Sequence, residues 1–452
     1  MKNIDLHLPQ DALDIISELI AAGFTAYAVG GCVRDALMGL PPKDVDICTS
    51  ATPEEMKRVF SASHVVETGL KHGTLTVMRH HTPYEVTTFR LDGAYTDRRH
   101  PDSVRFVTDV REDLARRDFT VNAMAWNPDE GLVDAFHGRE DLAAGVLRCV
   151  GDPVTRFTED ALRVMRALRF AAVYGFQIDP ETDQAARRMA PGLLQVAAER
   201  IRVELAKLLC GWYAGRILRA YPDILTLLIP ELKPCVGFDQ RNPHHLWDVW
   251  EHSVRAVENA PATEPLRLAM LLHDIGKPDT FTVDEQGVGH FYGHPKRSAE
   301  LAEAVCDRLK LDTATRERVL LLVRHHDEAL RPERRAMLRA LNRHGEAALR
   351  DLIAVRQADA IATGTADPAE VRAACDGLLR ALDEALASEA CFSLRQLAVN
   401  GQDLIRLGLK PGPALGETLN GLLQAVMDGA LPNEREALVG AVKAQLSQAQ
   451  RS

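Results

Sequence analysis

Short stretches of alternating apolar and polar residues divide the N-terminal third of the chain into predicted strands and helices. A helical spacing of apolar residues over 10–22 precedes an apolar run at Ala26–Val29, which predicts a helix followed by a strand. The stretch from Thr52 to Phe60 is predicted to be a helix because proline stands in its first turn. Valine- and threonine-rich runs predict further strands at 64–68, 73–79 and 84–89. We therefore expect a small mixed sheet with helices packed on it.

Beyond residue 146 the spacing of apolar residues becomes helical. We divide the chain into a mixed head at 1–146, an all-α neck at 147–237, a histidine-rich helical domain at 238–370 and a helical tail at 371–452. The expected fold class is α+β, because strands and helices are segregated along the chain and do not alternate throughout.

Composition narrows the classes of partner and compartment. The formal net charge of −10 over 452 residues gives no global attraction to nucleic acid, so any RNA contact has to come from local patches. Eight cysteines without a Cys-x-x-Cys pair are typical of buried thiols in a reducing compartment. The N-terminus lacks the pattern of a signal peptide, and no run of about 20 apolar residues is available to span a membrane. We expect a cytoplasmic protein without membrane contact, and the sequence indicates no protein partner.

A glycine turn and a pair of aspartates provide the first candidate chemistry. The pattern predicts a turn at Gly30-Gly31 that opens a short helix, followed by a strand over 43–47. Asp44 and Asp46 are two residues apart, so on a strand both side chains point to the same face. This layout suits Mg²⁺ and a polyphosphate, and Arg34 adds a cation that pairs with phosphate. The alternatives are a chance Asp-x-Asp in a surface loop and a glycine pair that forms only a turn.

Three features of the head remain open at this point. Glu85, on a predicted strand, is either a third acidic group near the metal or a plain edge-strand glutamate. The polar stretch 91–103 is predicted to be a mobile loop. The pair Arg116-Arg117 could clamp phosphate, or it could mark a helix start with Asp118 as the cap.

A slanting stripe of polar residues is predicted on a helix of the neck. Asp160, Arg163, Arg166 and Arg169 recur at steps of three beside an apolar face, which indicates either an anionic partner or a solvated surface. The next helix, which begins near residue 199 and carries several charges, could brace the stripe through ion pairs.

The histidine-rich domain contains an ordered series of metal-ligand residue types. Histidine and aspartate together are suited to a divalent metal in a helical pocket, whereas a single histidine is usually structural. In the pair His325-His326 we assign His325 to the series. The candidate ligands are His252, His273, Asp274, His294, His325 and Asp359.

These motifs resemble the bacterial-type (class II) tRNA nucleotidyltransferases, the CCA-adding enzymes, whose close kin are the poly(A) polymerases. The resemblance covers the whole chain and implies a polymerase-β-like palm in the head, while the histidine series resembles an HD phosphohydrolase domain that only some members carry. The segments that carry the resemblance are Gly30 to Asp35 with Asp44-x-Asp46, Arg116 to Thr120, Asp134 to Leu142, Glu159 to Arg163 and Glu199 to Leu209.

The resemblance implies a role for each head residue in this set. Asp44 and Asp46 would hold the catalytic Mg²⁺, and Gly31, Arg34 and Arg117 would lie against the triphosphate. The family also places the switch from CTP to ATP in a loop between the first two motifs. The stretch 91–103 occupies that interval, which argues against an enzyme that adds only the two cytidines. The HD-type series would hold a second divalent metal.

In the neck, the resemblance implies that Asp160 and Arg163 read the incoming base, and that Arg166 and Arg169 pair with phosphates. Cytosine and adenine both present an amino donor beside a ring-nitrogen acceptor, which an Asp and an Arg can match. Uracil and guanine present the opposite order and would leave both side chains unpaired. The expected function is therefore Mg²⁺-dependent addition of C, C and A to tRNA from CTP and ATP. An A-adding enzyme, a poly(A) polymerase and a mainly phosphohydrolytic enzyme are the alternatives.

Overall fold

The computed structural model describes residues 6–42, 44–61, 63–70, 73–93, 103–388 and 390–449. The chain forms two compact units, Met1–Pro230 and Glu231–Ser452. Within the described ranges, no helix is both long enough and apolar enough to cross a membrane. All eight cysteines are free thiols.

The first unit combines the strands of the head with the helices of the neck. Its helices are α1 Gln10–Ala21, α2 Gly31–Leu37, α3 Pro53–Val59, α4 Val110–Ala115, α5 Gly138–Ala144, α6 Pro153–Glu159, α7 Leu162–Tyr174, α8 Pro180–Met189, α9 Ala198–Leu209, α10 Ala214–Ala220 and α11 Pro222–Leu228. Its strands are β1 Ala26–Val29, β2 Asp46–Thr49, β3 His64–Gly69, β4 Thr74–Arg79, β5 Thr82–Thr88, β6 Arg90–Asp92, β7 Val104–Phe106, β8 Ala125–Asn127, β9 Gly131–Val133, β10 Val146–Leu147 and β11 Gln177–Ile178.

The main sheet of this unit has the strand order β3-β4-β5-β2-β1-β8-β9. Strands β2 and β5 pair in parallel and the other neighbours are antiparallel, so the predicted mixed sheet and α+β class are confirmed. Helix α1 buries its apolar stripe on the face that carries Ile47 and Val86. Leu114 of α4 packs on the opposite face with Cys48. Because side chains alternate along a strand, Asp46 lies on the same face as Cys48.

Three expectations about the strands of this unit are wrong in detail. The predicted strand over 43–47 begins only at Asp46, so Asp44 lies in an exposed bend just before it. Glu85 is not on an edge strand, since β5 lies between β4 and β2. Part of the predicted loop 91–103 is strand, because β6 pairs with β7, and residues 94–102 lie outside the described residues.

In the described part of the second unit, the strands are the short hairpin of β12 Thr282–Val283 and β13 Gly289–His290, and the other elements are helices. Helix α12 packs against α13 and α18, and α13 packs against α16. The later helices enclose a separate apolar core that includes Leu341, Ile353, Leu382 and Leu423. The helices are α12 Val249–Asn259, α13 Glu264–Leu272, α14 Lys277–Thr280, α15 His294–Arg308, α16 Thr313–His325, α17 Arg334–His344, α18 Glu346–Ala362, α19 Pro368–Ala387, α20 Gly401–Arg406, α21 Pro413–Met427 and α22 Arg435–Ala449.

Candidate active site

The turn between β1 and α2 brings an arginine against the backbone. Gly30 has φ +82°, a conformation that favours glycine, and its N–H donates to the Met124 carbonyl at 3.0 Å. A Cβ at this position would lie 2.8 Å from Nη1 of Arg117. The missing side chain therefore leaves room for the Arg117 guanidinium beside the turn.

The two aspartates of the first motif lie at the start of β2, Asp46 as its first residue and Asp44 in the bend before it. Asp46 is opposite Val29, the last residue of β1 before Gly30. Although the Asp46 side chain reaches solvent, desolvation by the surrounding protein raises its pKa. Arg117 lowers that pKa and Asp44 raises it, so both groups act electrostatically on Asp46. Two carboxylates are suitable ligands for a hard divalent cation, and the nearby guanidinium of Arg117 is suited to pair with a phosphate beside that cation.

Arg117 is anchored on one side and unpaired on another. Its Nη2 is 3.4 Å from the Asp113 carboxylate, while its buried Nε has no hydrogen-bond partner. Burial opposes ionisation of Asp113, but Arg116 and Arg117 outweigh it and hold the pKa of that carboxyl below its ordinary value. Neither arginine starts a helix, since α4 ends at Ala115. The alternative in which Asp118 caps a following α-helix is therefore wrong.

Arg34, which is expected to lie against the triphosphate, is buried and hydrogen-bonded to protein groups. The residue is 4% exposed, and it donates to Asn122 Oδ1 at 2.5 Å and to the Tyr174 hydroxyl at 2.7 Å. Its guanidinium also pairs with Asp35 and lies over the Tyr174 ring, 4.4 Å from the centroid. The structure thus places Arg34 in the packing between α2 and α7, and the adjacent Gly31 begins α2.

Asp160 and Arg163 lie together at the start of α7, each held by a different neighbour. Asp160 Oδ1 accepts the Leu162 N–H at 3.0 Å, while Oδ2 is 2.7 Å from Nη2 of Arg200. Arg163 Nη1 is 2.6 Å from the Glu159 carboxylate, and its Nη2 donates to the carbonyl of residue 116 at 3.1 Å. The two proposed base-reading groups therefore have their polar atoms occupied by protein partners.

The remaining arginines of the stripe are also matched by carboxylates. Arg166 pairs with the buried Asp118 at 2.6 Å, and Arg169 pairs with Glu204 of α9 at 2.8 Å. Burial alone would raise the pKa of Asp118, but Arg166 and Arg163 outweigh it and hold that pKa well below its usual range. The expected bracing by the helix near residue 199 is confirmed by the pairs that Arg200 and Glu204 form.

A second constellation, which we call the inner cluster, lies in the second unit. His252 Nε2 is 3.1 Å from His273 Nε2 and 2.9 Å from Asp359 Oδ1. His294 Nε2 is 3.2 Å from His326 Nε2 and 3.3 Å from Asp274 Oδ1. The inner cluster consists of His252, His273, Asp274, His294, His326 and Asp359.

The assignment of His325 to this series is wrong. His325 Nδ1 lies 3.0 Å from Glu328 Oε2, whereas its neighbour His326 faces the inner cluster. Successive residues on a helix point about 100° apart, so only one of two adjacent histidines can face a given pocket. Spacing along the sequence does not distinguish between them.

The inner cluster offers donor atoms suited to a metal. The carboxylate of the buried Asp274 faces both an imidazole and an amine: Oδ1 is 3.3 Å from His294 Nε2, and Oδ2 is 2.7 Å from Lys277 Nζ. A cavity of about 340 Å³ opens beside these groups, with Lys277, His290 and Tyr292 among the residues that line it. Lys277 was not predicted as a site residue, although its position three residues after Asp274 on a helical turn was a usable signal.

Comparisons with known proteins identify related families in each of the two units. Residues 26–148 match the family of the poly A polymerase head domain, and residues 291–442 match domain 2 of the tRNA nucleotidyltransferases. Residues 175–235 match a family described as "Probable RNA and SrmB- binding site of polymerase A".

The relatives described here, which align over nearly the whole chain, are CCA-adding enzymes. The chain is 38% identical to a CCA-adding enzyme of Limosilactobacillus fermentum, over 96% of each chain. It is 35% identical to that of Streptococcus gordonii, over 96% of this chain and 97% of the relative. The crystal structure of the Bacillus stearothermophilus CCA-adding enzyme in complex with CTP superposes with a TM-score of 0.74 at 32% identity, covering 98% of both chains. The resemblance seen in the motifs is confirmed: this chain belongs to the family of the CCA-adding enzymes, the tRNA nucleotidyltransferases.

Proposed function

We propose that this protein adds C, C and A to the 3′ end of tRNA, using CTP and ATP and releasing pyrophosphate. The observation that carries the proposal is the convergence of Asp44, Asp46 and Arg117 at the Gly30 turn, in a chain that is similar to CCA-adding enzymes over nearly its full length. Addition of a single A and polyadenylation are not favoured, because the relatives are named for addition of the full CCA sequence. Since the substrate is tRNA, we propose that the protein acts in the cytoplasm.

Nucleotidyl transfer by this family depends on a divalent metal, which we propose to be Mg²⁺ held by Asp44 and Asp46. Hard carboxylate oxygens are the donors that Mg²⁺ prefers, and the Arg117 guanidinium beside the Gly30 turn would supply a cation for a phosphate oxygen. When bound, the metal would favour deprotonation of the attacking 3′-hydroxyl and neutralise charge on the leaving pyrophosphate. Gly31, at the first turn of α2, would present its backbone N–H to the triphosphate, and Arg34 would support that turn from behind.

Base selection is assigned to Asp160 and Arg163. Asp160 Oδ2 would exchange Arg200 for the amino group of cytosine or adenine, while Arg163 would exchange Glu159 for the adjacent ring nitrogen. Each exchange replaces one hydrogen-bonded pair with another, so neither side chain passes through an unpaired state in the complex. We propose that Arg166 and Arg169 support the phosphates, and the pairs with Asp118 and Glu204, which fix the two guanidinium groups, favour this role.

Product length provides the direct test of the reaction. The protein is incubated with a tRNA that lacks its 3′ CCA, Mg²⁺ and each nucleoside triphosphate separately and then in pairs. We expect extension by two residues with CTP and by three with CTP and ATP together. Long A-tracts, or extension only of a tRNA that already ends in CC, would contradict the proposal. Asp44→Asn with Asp46→Asn serves as the inactive control.

A second candidate activity is supported by the inner cluster. We propose that it holds a divalent metal and hydrolyses phosphate esters, with the buried carboxylate of Asp274 among the ligands and Lys277 lining the substrate cavity. Alanine at His273 and Asp274 should abolish hydrolysis of 2′,3′-cyclic nucleotides and leave CCA addition intact. Undiminished hydrolysis in that variant would remove the assignment.

A further inference from the structure

Next to the inner cluster the second unit contains another group of metal-ligand side chains, which the two activities above do not use. We call it the outer cluster, and it consists of His325, Glu328 and His344. His325 Nδ1 is 3.0 Å and His344 Nε2 is 3.1 Å from the same oxygen, Oε2 of Glu328. The three candidate ligand atoms all lie within 4.8 Å of one another. From this convergence we propose that the outer cluster is a separate binding site for a divalent transition metal such as Zn²⁺.

The surrounding residues fix the orientation of the Glu328 carboxylate. Its other oxygen, Oε1, pairs with Arg343, and its backbone carbonyl accepts from Arg356 Nη1 at 3.2 Å. Oε2 is therefore directed at the two imidazoles, whose rings meet edge to face with centroids 4.8 Å apart. Second contacts of this kind hold metal-ligating carboxylates in orientation.

The imidazole of His344 is held inside the fold with Nε2 directed at the Glu328 carboxylate. Its side chain is only 2% exposed, and Nε2 lies 3.1 Å from Oε2. Neutral imidazole nitrogen and carboxylate oxygen together are the donors found in zinc sites with two histidines and one glutamate. The side chains of His325 and Glu328 remain partly exposed, which leaves the fourth position open to water.

The spacing of the donor atoms agrees with tetrahedral coordination. Bonds of about 2.0–2.1 Å to Zn²⁺ place neighbouring ligand atoms about 3.3 Å apart. The separations of 3.0 and 3.1 Å in the outer cluster are close to this value and match the 3.1 and 3.2 Å between imidazole nitrogens in the inner cluster. A hydrogen-bonded network without metal is the competing arrangement, in which both rings donate to the one oxygen.

The position of the outer cluster in the fold indicates what the metal does. It joins the end of α16, which carries His325, to the end of α17, which carries His344. His326 follows His325 directly and faces the inner cluster. A metal bound to the outer cluster would therefore hold the α16–α17 connection closed and keep His326 in place, which is a structural role and not a catalytic one.

Metal content per chain tests the proposal. Wild type, His344→Gln, Glu328→Gln and Asp274→Asn are equilibrated with Zn²⁺, desalted and measured by inductively coupled plasma mass spectrometry. The matched control is His80→Gln, because His80 pairs with the carboxylate of Asp11 at 3.0 Å but belongs to neither cluster. We expect His344→Gln and Glu328→Gln each to lose one equivalent of Zn²⁺ relative to wild type, and the control to lose none.

Equal zinc content in wild type and His344→Gln would overturn the proposal and favour the hydrogen-bonded network. The Asp274→Asn variant separates the two clusters, because it removes a ligand of the inner cluster only. It should therefore keep the equivalent of Zn²⁺ that His344→Gln loses. Should the outer-cluster variants fail to fold, wild-type protein is carbethoxylated and the modification of His325 is followed by peptide mass spectrometry. Protection by Zn²⁺, in Asp274→Asn as in wild type, supports the site, and an unchanged rate refutes it.

Discussion

Asp160→Asn is the substitution that most directly tests protein-based selection of the nucleotide. Asp160 Oδ1 accepts the Leu162 N–H at the start of α7, so an asparagine that keeps this bond must turn its amide NH₂ toward the position of Oδ2. That position now faces Arg200 and, in the proposed complex, the amino group of cytosine. An acceptor is thereby replaced by a donor of almost the same size.

The size of the expected change in nucleotide preference follows from the hydrogen bond between Asp160 and the base amino group, which Asp160→Asn removes. A hydrogen bond that involves a charged group contributes about 1.5–3 kcal/mol, and about 1.4 kcal/mol corresponds to a factor of ten in rate. Asp160→Asn should therefore reduce the preference for CTP over UTP, expressed as the ratio of kcat/KM values, by about tenfold to about a hundredfold. Discrimination is not expected to vanish, because Arg163 still opposes the N3–H of uracil.

The assay measures single-nucleotide extension of trimmed tRNA with CTP or UTP over a range of concentrations. Asp152→Asn is the matched control, since Asp152 also caps a helix, accepting the Thr155 N–H at 2.7 Å, but lies outside the arginine stripe. An Asp160→Asn enzyme that is slower with both nucleotides and keeps the wild-type ratio would refute base reading by Asp160 and leave it a helix cap.

Three further results are expected. Gly30→Ala and Gly39→Ala should each cost about 1 kcal/mol of stability in thermal unfolding, because both glycines have positive φ. Only Gly30→Ala should lose activity, since a Cβ at Gly30 displaces Arg117 whereas a Cβ at Gly39 meets open space. Equal activities of the two variants would contradict this expectation. The folded-state pKa of Asp118 is depressed, so its contribution to stability is present above the unfolded pKa of about 3.9 and is lost as pH falls below that value. Asp118→Asn should therefore flatten the acid limb of the unfolding free energy measured against pH. An unchanged acid limb would refute the linkage. Lys277→Met should keep the metal that we propose for the inner cluster, measured by mass spectrometry, and should lose about tenfold or more of the proposed phosphate-ester hydrolysis. Loss of the metal instead would make Lys277 a structural residue.

Features of the site that depend on neighbouring residues along the chain were predictable. The order of strand, glycine turn and helix around Gly30 follows from local patterning, and so does the stripe from Asp160 to Arg169. The prediction that a following helix braces this stripe also succeeded, because charges at helical spacing beside an apolar face need nearby counter-charges once the helix is packed.

Features that depend on distant parts of the chain were not predictable. Arg34 shows only as a cation in the sequence, whereas its partner Tyr174 is 140 residues away and buries it. Asp44 precedes the strand because the pairing of β2 with β1 stops at Val29 and Asp46, and residue alternation does not reveal where pairing ends. The choice between His325 and His326 likewise depends on how α16 is rotated against its neighbours, a property of the packed unit.

In this chain of net charge −10, carboxylates accompany the arginine stripe and keep its guanidinium groups close together where an anionic substrate would bind. Arg166 with Asp118 and Arg169 with Glu204 form pairs that remove mutual repulsion and fix each guanidinium before a nucleotide arrives. A triphosphate that enters therefore competes with carboxylates already in place, so the arginines alone supply little net attraction. In the proposed complex, binding then has to draw on the metal assigned to Asp44 and Asp46 and on the base edge assigned to Asp160. This makes recognition depend on a correct nucleotide and a divalent cation together, which is what an enzyme without a nucleic-acid template requires.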